Sequence, residues 1–410
     1  MTTTLRVNGS RLWDSLMEMA RIGALPHGGC GRLALTDLDK QGRDLFVRWC
    51  REAGCSIKVD RLGNVFARRE GKRPDLPPVM TGSHLDTQPH GGKFDGVYGV
   101  LAGLEVIRTL NDAKVQTEAP VEVAVWTNEE GARFAPAMCA SGVFGGAFEA
   151  DYVLGQKDLD GKTFGDELKR IGYAGSEACG GRAVGTFFEV HIEQGPILEA
   201  EGFPIGVVTG VQGIRWYDIV VAGQDAHAGP TPMPMRRDAL LAASSMVAAV
   251  NRIAHAHAPY GRGTVGQMHV IPNSRNTVPG EVRFSVDIRN PDADALARMD
   301  RELRAAVAAS AAEVGVEATV TEIWYSPPVV FDDGCAESVR QAAESLGYKN
   351  RDIVSGAGHD SVYVSRVAPT SMIFVPCRGG LSHNEAEDAE PAHIEAGCNV
   401  LLHAMLSRAG

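Results

Sequence analysis

Two domains, the second inserted into an α/β first, are what three observations in this chain predict. The first is length: 410 residues exceed what one hydrophobic core usually organises. The second is an alternation of strand and helix patterns over residues 1–212, resumed after residue 328, which is the rhythm of a sheet covered by helices on both faces. The third is a break in that rhythm from Gly213, where the order of patterns becomes β-α-β-β-α-β, the split βαβ or ferredoxin-like unit.

The elements follow in order. Residues 11–22 and 36–53 carry helical periodicity. Residues 55–59 and 63–68 read as strands, and 79–83 as a third after the proline-rich joint at 74–78. An apolar, small-residue helix is expected over 96–110, directly after Asp95, and a buried strand over 121–126. A shorter apolar run at 187–190 reads as another strand. Past Gly213 the expectation is a strand at 216–222, a helix at 237–256, strands at 264–271 and 282–288, a helix at 291–314 and a last strand at 317–324. Pro327-Pro328 closes this unit, and 372–376 is a strand of the resumed pattern. The expected domains are therefore 1–212 and 329–410 as two parts of one, with 213–328 inserted.

Hydrophobic content of 44% and charged content of 22% are ordinary for a soluble globular protein. A net charge of −11 with no basic stripe argues against a nucleic-acid partner. The N-terminal residues lack the apolar core of a signal peptide. No run approaches eighteen apolar residues, so no membrane span is expected. The Ala-rich stretch 240–258 is interrupted by Ser244, Ser245, Asn251, Arg252 and two histidines and reads as a soluble helix. The eight cysteines show no metal-knuckle spacing and no C-x-x-C, so free thiols and a cytoplasmic location are expected.

Five short segments carry the chemistry: Gly82-Ser83-His84-Leu85-Asp86-Thr87, Gly91-Gly92-Lys93-Phe94-Asp95-Gly96, Thr127-Asn128-Glu129-Glu130-Gly131, Val190-His191-Ile192-Glu193-Gln194-Gly195 and Gly380-Leu381-Ser382-His383-Asn384. Several follow strand patterns, and reactive groups of open α/β sheets gather where strands end. Three imidazoles and several carboxylates can meet there. On a strand, His84 and Asp86 point the same way, so Asp86 is placed to fix the tautomer of a metal-bound His84. Asp95 opens a helix; it either caps that helix or bridges two cations. Two adjacent carboxylates beside an apolar strand are costly unless a cation neutralises them. One of Glu129 and Glu130 can then bind metal while the other takes a proton from metal-activated water. With nitrogen and oxygen donors and no thiolate, the set suits Zn²⁺, but also Mn²⁺, Co²⁺ or Ni²⁺. In the inserted segment, His227 in Asp225-Ala226-His227-Ala228-Gly229-Pro230, Asn276 in Asn273-Ser274-Arg275-Asn276 and Arg289 at a strand end supply an imidazole, an amide and a guanidinium. That combination suits an oxyanion and a carboxylate.

Taken together, these residues resemble the amidohydrolase branch of the dinuclear aminopeptidase/carboxypeptidase-like metalloenzymes. Within it the chain looks most like the N-carbamoyl-L-amino-acid hydrolases, β-ureidopropionases and allantoate amidohydrolases. The resemblance spans nearly the whole chain. It implies an aminopeptidase-like catalytic domain with a mixed central sheet flanked by helices, and an inserted ferredoxin-like domain that dimerises and acts as a lid. It implies that His84, Asp95 and His191 hold one metal and Asp95, Glu130 and His383 the other, two divalent ions per subunit. Glu129 matches the family's general base and Asp86 the residue supporting the first histidine. Gln194, His227, Asn276, Arg289 and Gly358, the last in Ser355-Gly356-Ala357-Gly358-His359-Asp360, match substrate contacts. Histidine at 191 and the segment Gln88-Pro89-His90-Gly91-Gly92-Lys93 look carbamoylase-like.

The expected reaction is hydrolysis of a carboxylate-bearing ureide, most simply an N-carbamoyl-L-amino acid, by a homodimer. Allantoate, N-carbamoyl-β-alanine and acyl-amino acids or peptides stay open as substrates. A serine or cysteine hydrolase using Ser355 or Cys139 lacks a G-x-S-x-G elbow. A non-catalytic scaffold would have little need for the full ligand and base set.

Overall fold

The protein is described by a computed structural model covering residues 5–410. It divides into two compact units: the described residues through Thr209 with Phe331–Gly410, and Gly210–Val330.

The first unit is built on a mixed sheet. Strands run in the spatial order Ser56–Val59, Val65–Arg69, Val121–Trp126, Val79–His84, Thr186–Ile192, Thr370–Val375 and Ile205–Val211, with Asn350–Ser355 also beside Ile205–Val211. The four central strands are mutually parallel, and the flanking pairings are antiparallel. Every residue of Val79–His84, Val121–Trp126, Thr186–Ile192 and Thr370–Val375 is buried. Continuous apolar runs are what strands covered on both faces require. Alternate residues feed two cores: Val79, Val121, Val123, Val125, Phe188 and Val190 on one side, and Met80, Ala124, Trp126 and Phe187 on the other.

Helix Val97–Asp112 explains its own small residues. A Cβ on Gly99 would stand 2.7 Å from Ser83 Cβ, and one on Gly103 would stand 2.8 Å from Thr81 Cγ2. The glycines let the helix backbone settle against strand Val79–His84, which fixes the start of the helix beside the end of the strand. Helix Pro391–Ala409 packs on the same helix and on the central strands.

The second unit has strands in the order Met268–Ile271, Glu281–Asn290, Gly213–Ala222 and Glu317–Ser326, all antiparallel. Tyr217, Ile219, Val221, Val282, Phe284, Val286 and Ile288 alternate along two strands and bury against helices Ala239–Ala256 and Ala293–Val314. Ala239–Ala256 is long and apolar enough to cross a membrane by composition, yet Ala242, Ala243, Met246, Ala249, Val250 and Ile253 form its buried side in this core. The expected single strand over 264–271 is two: Arg262–Thr264 and Met268–Ile271 both pair with Glu281–Asn290. Gly266 lies in the break, where a residue without a side chain weakens strand pairing.

Candidate metal centre

Four of the five chemical segments leave the carboxyl ends of the parallel strands. His84 is the last residue of its strand and His191 the penultimate residue of Thr186–Ile192. Glu129 and Glu130 follow Val121–Trp126, and His383 lies in the loop after Thr370–Val375. Asp95 precedes helix Val97–Asp112. The helix has no side-chain cap, so capping does not account for Asp95.

Asp95 stands at the centre. Its Oδ1 lies 3.5 Å from His84 Nε2 and 3.3 Å from His191 Nε2; its Oδ2 lies 3.5 Å from His383 Nε2, which is itself 3.3 Å from Glu130 Oε2. Two ligand groups result, His84–Asp95–His191 and Asp95–Glu130–His383, each able to offer three atoms to one ion. The two oxygens of one carboxylate face two different sets. Asp95 thus belongs to both groups.

Backbone contacts set the tautomers. His84 Nδ1 is 2.8 Å from the carbonyl of Asp86 and His191 Nδ1 is 2.9 Å from the carbonyl of Ile192. Each Nδ1 therefore carries its proton toward a carbonyl, and Nε2 is the ring atom on the Asp95 side, able to ligate an ion once it gives up any proton it holds. Asp86 thus orients His84 through its main chain. Its carboxylate does something else: it accepts from the amides of Glu129 and Glu130 at 3.4 and 3.3 Å. The strand ends at His84, so the period-2 argument that put both side chains on one face stops there.

Gln194 Nε2 donates to Asp95 Oδ2 at 2.8 Å, and Ser382 Oγ donates to the same oxygen at 3.0 Å. Glu387 was not singled out by the sequence reading, yet it supports the centre. Its Oε1 accepts from the amides of Phe94 and Asp95, and its Oε2 lies 2.9 Å from Ser382 Oγ, whose single proton is shared between Glu387 and Asp95. No local pattern marked Glu387; only the fold shows that a Cβ on Gly92 would stand 2.0 Å from Glu387 Oε1. Gly96 is similarly constrained, with φ +67° and a virtual Cβ 2.3 Å from the His84 ring. Asn128, Gln194 and His383 also sit at positive φ, a clustering of strained backbone typical of functional sites.

The electrostatics ask for cations. Burial pushes Glu129 well above the usual carboxylate range against the pull of His84. Burial and the Asp95 charge push Glu130 up to about 8 and Glu387 up to about 7. For Asp95 burial works the same way, but hydrogen bonds from His191 and His84 outweigh it and hold the carboxyl well below its ordinary value. Burial opposes the imidazolium of His84, yet Glu129, Asp95 and Asp86 together raise it well above normal. The leading offsets are histidines and neutral donors rather than Lys or Arg. Packing this many carboxylates against imidazoles without a fixed cation fits divalent metal binding. Glu129 Oε2 lies 3.5 Å from His84 Nε2, beside the ligands.

The other nucleophile candidates are tied down. Ser355 Oγ is 2.9 Å from His359 Nε2 but also donates to the Ala357 carbonyl and is 1% exposed. Cys139 is 1% exposed, and burial pushes its thiol up to about 12. A buried thiol of that kind is inert.

In the second unit, His227 and Asn276 adjoin on one short ribbon: His227 pairs with Thr277, and the Ala228 amide donates to the Asn276 carbonyl at 2.8 Å. His227 Nδ1 accepts from Gly229 N at 3.0 Å, so in the neutral ring Nε2 carries the proton. Arg289 forms a two-point contact with Asp287, 3.0 and 2.8 Å. Gly358 lies in the first unit, where a Cβ would meet Met138 Cε at 2.8 Å.

A family model described as Peptidase family M20/M25/M40 matches residues 80–407. The chain is 53% identical over 404 residues to the N-carbamoyl-L-amino-acid amidohydrolase of Rhizobium meliloti, spanning 98% of this chain and 97% of that protein. It is 31% identical over 390 residues to the allantoate amidohydrolase of Bacillus subtilis (strain 168), spanning 95% of each. Among solved structures it resembles an amidase of the hydantoinase/carbamoylase family from Burkholderia multivorans, with TM-score 0.97, 64% identity and 99% of both chains covered.

Proposed function

The chain belongs to the peptidase family M20/M25/M40, and on that premise we propose that it hydrolyses a ureido C–N bond, converting an N-carbamoyl-L-amino acid and water to the L-amino acid, carbon dioxide and ammonia. The observation that carries the reading is Asp95, whose two oxygens face two separate imidazole and carboxylate sets. The 53% identity over nearly the full length to an N-carbamoyl-L-amino-acid amidohydrolase favours that substrate over allantoate.

His84, Asp95 and His191 would hold one divalent ion and Asp95, Glu130 and His383 the second, zinc first by donor chemistry. When bound, such ions supply Lewis acidity, lowering the pKa of water toward neutrality and polarising the ureido carbonyl. The chain's own residues do the rest. Glu129 takes the proton of the attacking water and passes it to the departing amine, a role suited to a buried carboxyl 3.5 Å from a ligand imidazole. Asp86 holds Glu129 and Glu130 in place by their amides. Gln194 and Ser382 steady the bridging carboxylate. The second unit's own donors are His227, whose Nε2–H is suited to an oxyanion, and Arg289 with Asn276, suited to a carboxylate. Recognition by one guanidinium is local, so a net charge of −11 is no obstacle to an anionic substrate.

The second unit serves as the dimerisation domain in this reading. Support for a dimer comes from edge strand Glu317–Ser326, where Ile323, Trp324 and Tyr325 are exposed; an exposed apolar edge invites pairing with another chain. Eight unpaired cysteines support a reducing, cytoplasmic location.

The test is ammonia release from N-carbamoyl-L-methionine, N-carbamoyl-β-alanine and allantoate, before and after EDTA and after adding back Zn²⁺, Mn²⁺, Co²⁺ or Ni²⁺. Activity on the first substrate, lost with chelator and restored by metal, is expected. Activity that survives exhaustive chelation would end the proposal.

A further inference from the structure

One buried carboxylate has no part in the chemistry above, yet it touches three of the pieces that build the site. Glu189 is 0% exposed and sits two residues before His191 on strand Thr186–Ile192. Period-2 geometry puts both side chains on one side of that strand. Its Oε1 accepts from Ser83 Oγ at 2.7 Å, and Ser83 immediately precedes His84. Its Oε2 accepts from both the amide and the hydroxyl of Ser361, at 3.1 and 2.5 Å. Ser361 follows directly on His359-Asp360, and the His359 ring stands edge-on to His191 with centroids 4.7 Å apart. Both serines are 0% exposed.

We propose that Glu189 is the positioning residue of the first metal site, a carboxylate clamp that ties the strand ending in His84, its own strand carrying His191, and the His359-Asp360 turn into one fixed arrangement. It acts through those residues and touches no reacting atom. The inference rests on the dinuclear reading given above.

Another use of the same residue deserves weighing. Glu189, His191 and His359 could offer one atom each to an ion. However, three donors already occupy the two Glu189 oxygens, and His191 Nε2 faces Asp95. A third ion would have to displace hydrogen bonds that the fold has fully formed. The clamp is the assignment the contacts favour.

Geometry rather than charge is the claim, and that separates the variants. In Glu189→Gln the amide oxygen can still accept from Ser361, and the amide NH₂ can donate to Ser83 Oγ, whose hydroxyl is free to turn. Glu189→Ala removes every contact. The readouts are metal affinity by chelator competition and the visible spectrum of the Co²⁺-loaded protein. Supporting groups around metal ligands usually change affinity by about 10–100-fold. Glu189→Gln should stay within about threefold of the parent protein, with the same Co²⁺ spectrum. Glu189→Ala should bind at least one ion roughly tenfold or more weakly, with an altered spectrum. If Glu189→Ala does not fold, the pair Ser83→Ala with Ser361→Ala carries the test, since it keeps the carboxylate and removes its hydroxyl donors; the same loss is expected. Parent-like affinity and spectrum in Glu189→Ala or the serine pair would overturn the clamp. So would an equal loss in Glu189→Gln and Glu189→Ala, or a third ion bound by the parent. Failure of the dinuclear reading looks different: the parent itself would bind no metal and release no ammonia.

Discussion

Loading the centre with metal should expel protons, and the number follows from the site. Titrating the metal-free protein is the perturbation. Glu130, pushed up to about 8, is roughly nine-tenths protonated at pH 7, and it must ionise to bind. His84, held well above its ordinary value, starts as imidazolium and must become neutral. Asp95, held well below the usual range, is already a carboxylate and contributes nothing. At least two protons therefore leave per chain at neutral pH, and His191, also raised, against burial, by its hydrogen bond to Asp95, adds to them. The sign is definite: groups whose pKa is raised in the metal-free state compete with the ion, so affinity rises with pH and falls as the solution is acidified. A slope of two corresponds to about 2.7 kcal/mol per pH unit, flattening above about pH 8 as Glu130 ionises unaided. Calorimetry in buffers of different ionisation enthalpy counts the protons directly, and chelator competition between pH 6 and 8 gives the slope. A buffer-independent enthalpy with flat affinity would refute the assignment of Glu130 and His84 as ligands.

Three further outcomes are expected. Glu129→Gln should lower kcat by roughly 10²–10⁴-fold while elemental analysis finds normal metal content; full activity would remove Glu129 as the base. Gly96→Ala should cost about 1–3 kcal/mol from positive φ alone, and its Cβ should push the His84 ring aside, so the melting temperature and metal affinity fall together. An unchanged melt with unchanged affinity would contradict that constraint. Arg289→Gln should raise KM for carboxylate-bearing ureides about 10–100-fold, the worth of a charge-assisted contact, with a smaller change in kcat; an unchanged KM would take Arg289 out of substrate binding.

How much of this was legible in the sequence depended on range. The buried strands Val79–His84 and Val121–Trp126 announce themselves as apolar runs because both of their faces are covered. Helix Ala239–Ala256 is equally plain from its periodicity. The convergence of His84, Asp95, Glu130, His191 and His383 was readable because strand-end loops have few places to go. What the sequence did not show was support that travels through the backbone or across long separations. Asp86 helps His84 with a carbonyl, which every residue possesses. Glu387 and Glu189 look like any other acid until partners 292 and 106 positions away along the chain are known. The split of 264–271 into two short strands likewise depends on pairing with Glu281–Asn290, a contact no local pattern encodes.

The placement of His383 has a consequence for how the molecule is made. Strand Thr370–Val375 lies between Thr186–Ile192 and Ile205–Val211, although it is synthesised far later than either. A chain still emerging from the ribosome holds His84, Asp95, Glu130 and His191 before it holds the strand that closes the sheet beside His191. Pairings that distant in sequence form slowly, and incomplete sheets expose edges that aggregate. The group Asp95–Glu130–His383 can therefore assemble only once the strand that joins Thr186–Ile192 to Ile205–Val211 has been made.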